Sequence, residues 1–222
     1  MKNKTLNEIS KDKFFRTDKG EFTQGNKSRP GHNYWQVYED YFVKFKEENI
    51  SLLEIGFGAA GDCLRTFAEY FENAEKIVGI DWNMEFVEGL EFKDSRIIRH
   101  QANQNSVESL NSIVDLYAER GPAFDIIIDD GSHQVPHIRN TLNVFFSKLL
   151  KPGGVYVIED TYQLIDSFAH NISIQNPMST LILDVNEGDC SWTQKNSEIQ
   201  SVHFYRGIIF IKKGPHITRG QL

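Results

Sequence analysis

Cysteine is nearly missing from this chain: Cys63 and Cys190 are the two in 222 residues. Their separation fits no zinc or redox motif, which leaves them as reduced, structural thiols. No apolar stretch is long enough to span a bilayer and no signal-peptide core is present, so the expected location is the cytosol, with no membrane partner. Positive charge is in deficit, with 24 Lys and Arg against 31 Asp and Glu, for a net charge of -7 and a pI near 5.5. The basic residues are scattered rather than striped, so no nucleic-acid surface is expected and the partner should be a small molecule. No internal repeat or low-complexity tract interrupts the chain. Its length leaves no room for a second large domain beside one α/β core, which a 40% hydrophobic content can fill.

Residues 1–31 are polar, with Gly20, Gly25, Pro30 and Gly31 punctuating the Glu21–Arg29 loop, and read as an N-terminal arm or lid ahead of a domain over 32–222. From His32 the spacing of Tyr34, Tyr38, Tyr41, Phe42 and Phe45 lays an aromatic face along a helix ending near Glu48. Short apolar strands then alternate with helical patterns. Strands are expected at Ser51–Ile55, Ile77–Asp81, Arg96–His100, Phe124–Ile128 and Val155–Ile158, and helices at 84–90, 107–120 and 136–150. Such alternation implies a mostly parallel sheet covered by helices. The tail breaks the rhythm: Ser201–Lys212 has two strand-like halves around Arg206-Gly207, a tight antiparallel hairpin. Thr161–Gln200, long and mixed in pattern, is where substrate specificity would reside.

Two motifs carry chemistry. Gly56-Phe-Gly58-Ala-Ala-Gly61 is a dinucleotide-type glycine turn, and Asp81 lies where a ribose-binding acid is expected. Glu54, two residues ahead of Gly56, suits a cofactor bearing a positive amino group better than a pyrophosphate. Further on, Phe124-Asp-Ile-Ile-Ile-Asp-Asp-Gly-Ser-His133 and Val155-Tyr-Val-Ile-Glu-Asp160 are apolar runs that end abruptly in acids. If these strands are neighbours, Asp129, Asp130, Glu159 and Asp160 crowd one sheet edge beside His133. Their mutual repulsion calls for a hard cation or a retained proton. The i, i+4 pair His133 and His137 lacks the helical Glu motif of a zinc site, so a packing role is expected for His137.

Taken together these residues resemble the class I S-adenosylmethionine-dependent methyltransferases, and within them the metal-dependent sugar O-methyltransferases of macrolide pathways. The resemblance rests on Thr17-Asp-Lys-Gly20, His32-x-Tyr34 with Tyr38-Glu39, Asp129-Asp-Gly-Ser-His133, Pro152-Gly-Gly154 with Ile158-Glu-Asp160, and His203-Phe-Tyr205. One departure is Ala102-Asn-Gln-Asn105, where the family commonly has Gly-Asp-Gln-Ser. The resemblance implies a single Rossmann-like domain with a mostly parallel seven-stranded sheet and a C-terminal antiparallel hairpin. It assigns Glu54, Gly56, Gly58, Gly61, Asp81, Asn103, Gln104 and Asp129 to the S-adenosylmethionine site. Asp130, Glu159 and Asp160 would hold Mg²⁺, or Mn²⁺ or Ca²⁺ in its place. Asp130 and His133 are the expected catalytic pair, His133 as general base toward a sugar hydroxyl.

The expected acceptor is a sugar in a natural-product glycoside, a nucleotide-activated sugar or a surface-polysaccharide precursor, and the resemblance implies a homo-oligomer. Three other readings compete. A catechol-type methyltransferase would use the same metal logic on a flat diol, a nicotinamide dehydrogenase would use the glycine turn, and a non-catalytic cofactor-binding protein would have lost its base or a metal ligand.

Overall fold

A computed structural model describes residues 4–13, 15, 17–20, 31–165 and 198–214. The Glu21–Arg29 loop, residues 166–197 of the Thr161–Gln200 stretch expected to carry specificity, and Cys190 lie outside the described residues. The chain forms two compact units, Met1–Gln101 and Ala102–Leu222.

In the first unit, the stretch expected to be a polar arm contains a docked helix, α1 (Leu6–Asp12), with Leu6 and Ile9 buried. Thr5 and Glu8 form a reciprocal capping box that satisfies two otherwise orphaned backbone donors. Glu39 accepts from the Leu6 backbone N–H and, at 2.9 Å, from the Tyr70 hydroxyl, which fastens this helix start to its neighbours. The aromatic helix α2 (Tyr34–Phe42) gives way to a 3₁₀ turn at Val43–Phe45, earlier than its periodicity suggests. Its buried face is Tyr34, Trp35, Tyr38 and Phe42. Trp35 stands edge-on to Phe67 of α3 (Asp62–Tyr70) at 5.7 Å between ring centroids, and Phe42 meets Phe71 at 5.7 Å. The edge-to-face Trp35–Phe67 pair adds about 1 kcal/mol to area burial. Three parallel strands complete the unit: β1 (Ser51–Ile55), β2 (Lys76–Asp81) and β3 (Ile97–Gln101), with the short α4 (Met84–Gly89) between the last two.

The second unit holds β4 (Phe124–Asp129) and β5 (Leu150–Glu159) in parallel, with α5 (Val107–Tyr117) and α6 (Val135–Lys148) packed together. Pro136 sits in the first turn of α6, where its missing N–H costs nothing. The hairpin is present: β6 (Ile199–Tyr205) and β7 (Ile208–Lys213) pair antiparallel around Arg206-Gly207, with Gly207 at φ 80°. Antiparallel pairing of β7 with β5 joins it to the parallel strands. The buried Lys213 ammonium donates to the carbonyls of Phe146, Ser147 and Leu150 and pairs with Glu198 at 3.0 Å, closing the end of α6. The strand order is β3-β2-β1-β4-β5-β7-β6, a seven-stranded, mostly parallel α/β sheet with a C-terminal antiparallel hairpin, as expected.

Candidate active site

Parallel register decides where the acids emerge. Ile126, Ile127 and Ile128 lie opposite Val155, Tyr156 and Val157, and Asp129 lies opposite Ile158, so both strands leave the sheet at one level. Beyond that level the donor atoms of Asp130, His133 and Asp160 lie within 4.8 Å of one another. His133 Nε2 is 3.7 Å from Asp160 Oδ2. Both residues adopt left-handed backbone conformations, His133 at φ 59° and Asp160 at φ 48°. Among the described residues only Asn33 otherwise does so without being glycine. Each such residue costs on the order of 1 kcal/mol, a strain that concentrates at functional sites.

His133 Nδ1 is buried with no hydrogen-bond partner, an arrangement that an incoming ligand or proton would relieve. Two carboxylates and an imidazole, all half-buried, suit a divalent cation that keeps open positions for other oxygen ligands. Glu159 is buried at the end of β5 and is not part of the three-residue cluster. His137 Nδ1 is 2.7 Å from the Ser132 hydroxyl and is likewise outside the cluster.

Asp129 is buried among donors. Gln104 Nε2 at 2.8 Å and the Gly131 N–H at 3.4 Å donate to its Oδ1, and the Tyr156 hydroxyl at 3.4 Å and the Thr141 hydroxyl donate to its Oδ2. Burial pushes the Asp129 carboxyl up to about 6, and the bonds from Thr141 and Gln104 partly oppose that rise. Asn103 is exposed, and its side-chain oxygen accepts from the Asn105 N–H at 2.9 Å in a local turn.

In the first unit, Gly56, Gly58 and Gly61 all have positive φ, at 82°, 65° and 61°. A side chain at Gly58 would meet nothing within 4 Å, so the loop presents bare backbone to open space. At Gly61 a Cβ would come within 2.6 Å of the Phe92 ring, and glycine is needed there for space as well as for conformation. Asp81 is fixed by the Gly58 N–H at 3.3 Å and the Asn83 N–H at 2.9 Å, at the end of β2 directly before the exposed Trp82. Glu54 is fully buried in β1, and the equally buried Lys19 ammonium lies 3.7 Å from its carboxylate. The partnership between Lys19 and Glu54 was not foreseen. The signal available was the Thr17-Asp-Lys-Gly20 motif, since a lysine in a short polar motif has no reason to be buried unless an acid awaits it.

Residues 46–204 match the family described as a methyltransferase domain. Among characterised proteins, an 8-demethyl-8-alpha-L-rhamnosyl tetracenomycin-C 2'-O-methyltransferase of Streptomyces olivaceus is 32% identical over 58% of this chain and 33% of its own. The mycinamicin VI 2''-O-methyltransferase of Micromonospora griseorubida is 34% identical over 59% of this chain and 32% of its own. This chain therefore spans about a third of the length of the characterised relatives it matches. A crystal structure of the MycE methyltransferase of the mycinamycin pathway, in complex with Mg, SAH and mycinamycin VI, superposes with a TM-score of 0.75 at 26% identity. That superposition covers 99% of this chain and 57% of the other. With the match over 46–204, the glycine turn before Asp81 and the acids at the ends of β4 and β5, the chain belongs to the class I methyltransferase-domain family.

Proposed function

We propose that this protein transfers the methyl group of S-adenosylmethionine to a hydroxyl of a sugar-containing small molecule, with a divalent cation at the ends of β4 and β5. The observation that carries the reading is the cluster of Asp130, His133 and Asp160 within 4.8 Å on a methyltransferase fold. Two further points support it: the named relatives are sugar O-methyltransferases, and a solved relative holds Mg and SAH.

The residues would divide the work by chemistry. Gly56, Gly58 and Gly61 leave backbone open to the cofactor, and Asp81, already held by two N–H groups, offers its carboxylate to ribose hydroxyls. Asp130 and Asp160 would hold the cation, Mg²⁺ by preference of its oxygen donors, with the buried Glu159 next to Asp160 in sequence. When bound, the ion supplies Lewis acidity that lowers the pKa of a coordinated hydroxyl. His133 Nε2 accepts the proton released as the hydroxyl oxygen takes the methyl group, and Asp160 at 3.7 Å stabilises the imidazolium so formed.

The test is formation of S-adenosylhomocysteine from S-adenosylmethionine with a panel of glycosides, nucleotide-linked sugars and a catechol, with Mg²⁺ and with EDTA. Turnover on a sugar acceptor that EDTA abolishes and excess Mg²⁺ restores is expected. EDTA-insensitive turnover would sink the metal assignment, and preference for the catechol would move the substrate class.

A further inference from the structure

We infer that Gln104 is a positioning residue for the metal-binding loop, acting as a bracket that fixes residues 129–133. The inference rests on the proposed metal site at Asp130 and Asp160, with His133 as the neighbouring base.

Gln104 is buried directly after the exposed Asn103. Both ends of its side-chain amide are occupied by the loop itself. Nε2 donates to Asp129 Oδ1 at 2.8 Å, and Oε1 accepts from the Ser132 N–H at 2.8 Å. The orientation of the amide is decided by chemistry. A backbone N–H can only donate and a carboxylate can only accept, so the flipped amide would lose both bonds. Gln104 is itself held from α6, where the Asn140 side chain donates to its backbone carbonyl at 3.0 Å.

Space confirms the fit. A Cβ at Gly131 would lie 2.1 Å from Gln104 Oε1 and 2.6 Å from its Cδ, so the absence of a side chain at 131 is what admits the amide. The bracket thus straddles Asp130, gripping the residue before it and the residue two after it. It ends one residue short of His133, whose left-handed backbone needs outside support to persist. With Gln104 buried and one N–H and one lone pair of its amide spent on the loop, gripping that loop is the role its side chain serves here, in place of the adenine-edge contact implied by resemblance. A donor set with a precise geometry depends on this kind of support.

The test is calorimetric titration of the intact chain with Mn²⁺ and, separately, S-adenosylhomocysteine, for wild type, Gln104→Leu and Gly131→Ala. A bracket predicts at least a tenfold loss of Mn²⁺ affinity in both variants, with S-adenosylhomocysteine affinity within about twofold of wild type, in line with the loss typical of supporting residues. If Gln104→Leu does not fold, Gln104→Glu serves, because it keeps the acceptor for Ser132 and sets a carboxylate against Asp129. Its Mn²⁺ affinity should fall and be regained in Gln104→Glu/Asp129→Asn, where the donor and acceptor exchange sides. Unchanged Mn²⁺ affinity, or a fall in S-adenosylhomocysteine affinity as large as the fall for Mn²⁺, overturns the bracket. A wild type that binds neither ligand overturns the proposed function instead, so the two failures are distinct.

Discussion

Removing the Lys19 ammonium should be among the most damaging single changes in the first unit. Lys19 and Glu54 have no exposed side-chain surface, and their charges stand 3.7 Å apart. At that separation and an effective dielectric of about 20, their attraction is roughly 4 kcal/mol. Much of it offsets the cost of taking two charges out of water, so the pair as a whole adds little net stability. Breaking it is another matter: Lys19→Met removes the ammonium from beside a fully buried carboxylate and should cost about 3–5 kcal/mol. For a chain of this size that corresponds to a fall in Tm on the order of 10 °C. Urea unfolding followed by tryptophan fluorescence can read it, since Trp35 is buried beside the segment and donates its backbone N–H to the Lys19 carbonyl at 3.0 Å. Lys19→Met/Glu54→Leu, which removes both charges, should recover most of the loss. A single variant within about 1 kcal/mol of wild type would refute the reasoning, as would a double variant no more stable than the single one.

Three shorter predictions follow from the same structure. His133→Ala should lower methyl transfer by about two to four orders of magnitude while S-adenosylhomocysteine affinity, measured by calorimetry, stays within about twofold. Gly61→Ala combines a φ of 61° with a Cβ at 2.6 Å from Phe92, and should cost about 2–4 kcal/mol in urea unfolding and weaken cofactor binding. Gly58→Ala has space but the same left-handed backbone, at φ 65°, and should cost only about 1–2 kcal/mol. Burial holds the His100 imidazole below its ordinary 6.5, so its contribution to stability is present above that pH and is lost as the pH falls below it. His100→Gln should therefore flatten the acid limb of the stability profile, and an unchanged limb would show that His100 titrates as it does in the unfolded chain.

The parallel strands were legible because a buried strand needs a continuous apolar run, and Ile126-Ile-Ile128 and Val155-Tyr-Val-Ile158 are such runs ending in acids. Once β4 and β5 pair in register, the acids must emerge together, and Asp130 and Asp160 do. The hairpin was equally legible, since Arg206-Gly207 supplies the positive φ that a two-residue turn demands. The docked helix α1 was missed because the surrounding composition is polar and its apolar face is only Leu6 and Ile9. The Thr5-Leu-Asn-Glu8 capping box was the local sign that could have found it.

Sequence alone determined the order of the elements, the glycine turn and the acids at the strand ends, because these rest on residues adjacent in the chain or on a fixed period. Tertiary structure alone decided the Lys19–Glu54 pair, the Gln104 grip on Asp129 and Ser132, and the left-handed backbones of His133 and Asp160. The first two join residues 25 to 35 positions apart, at distances set by packing rather than by spacing. The third stores strain in residue types that rarely adopt that conformation, so only the surrounding fold can impose it.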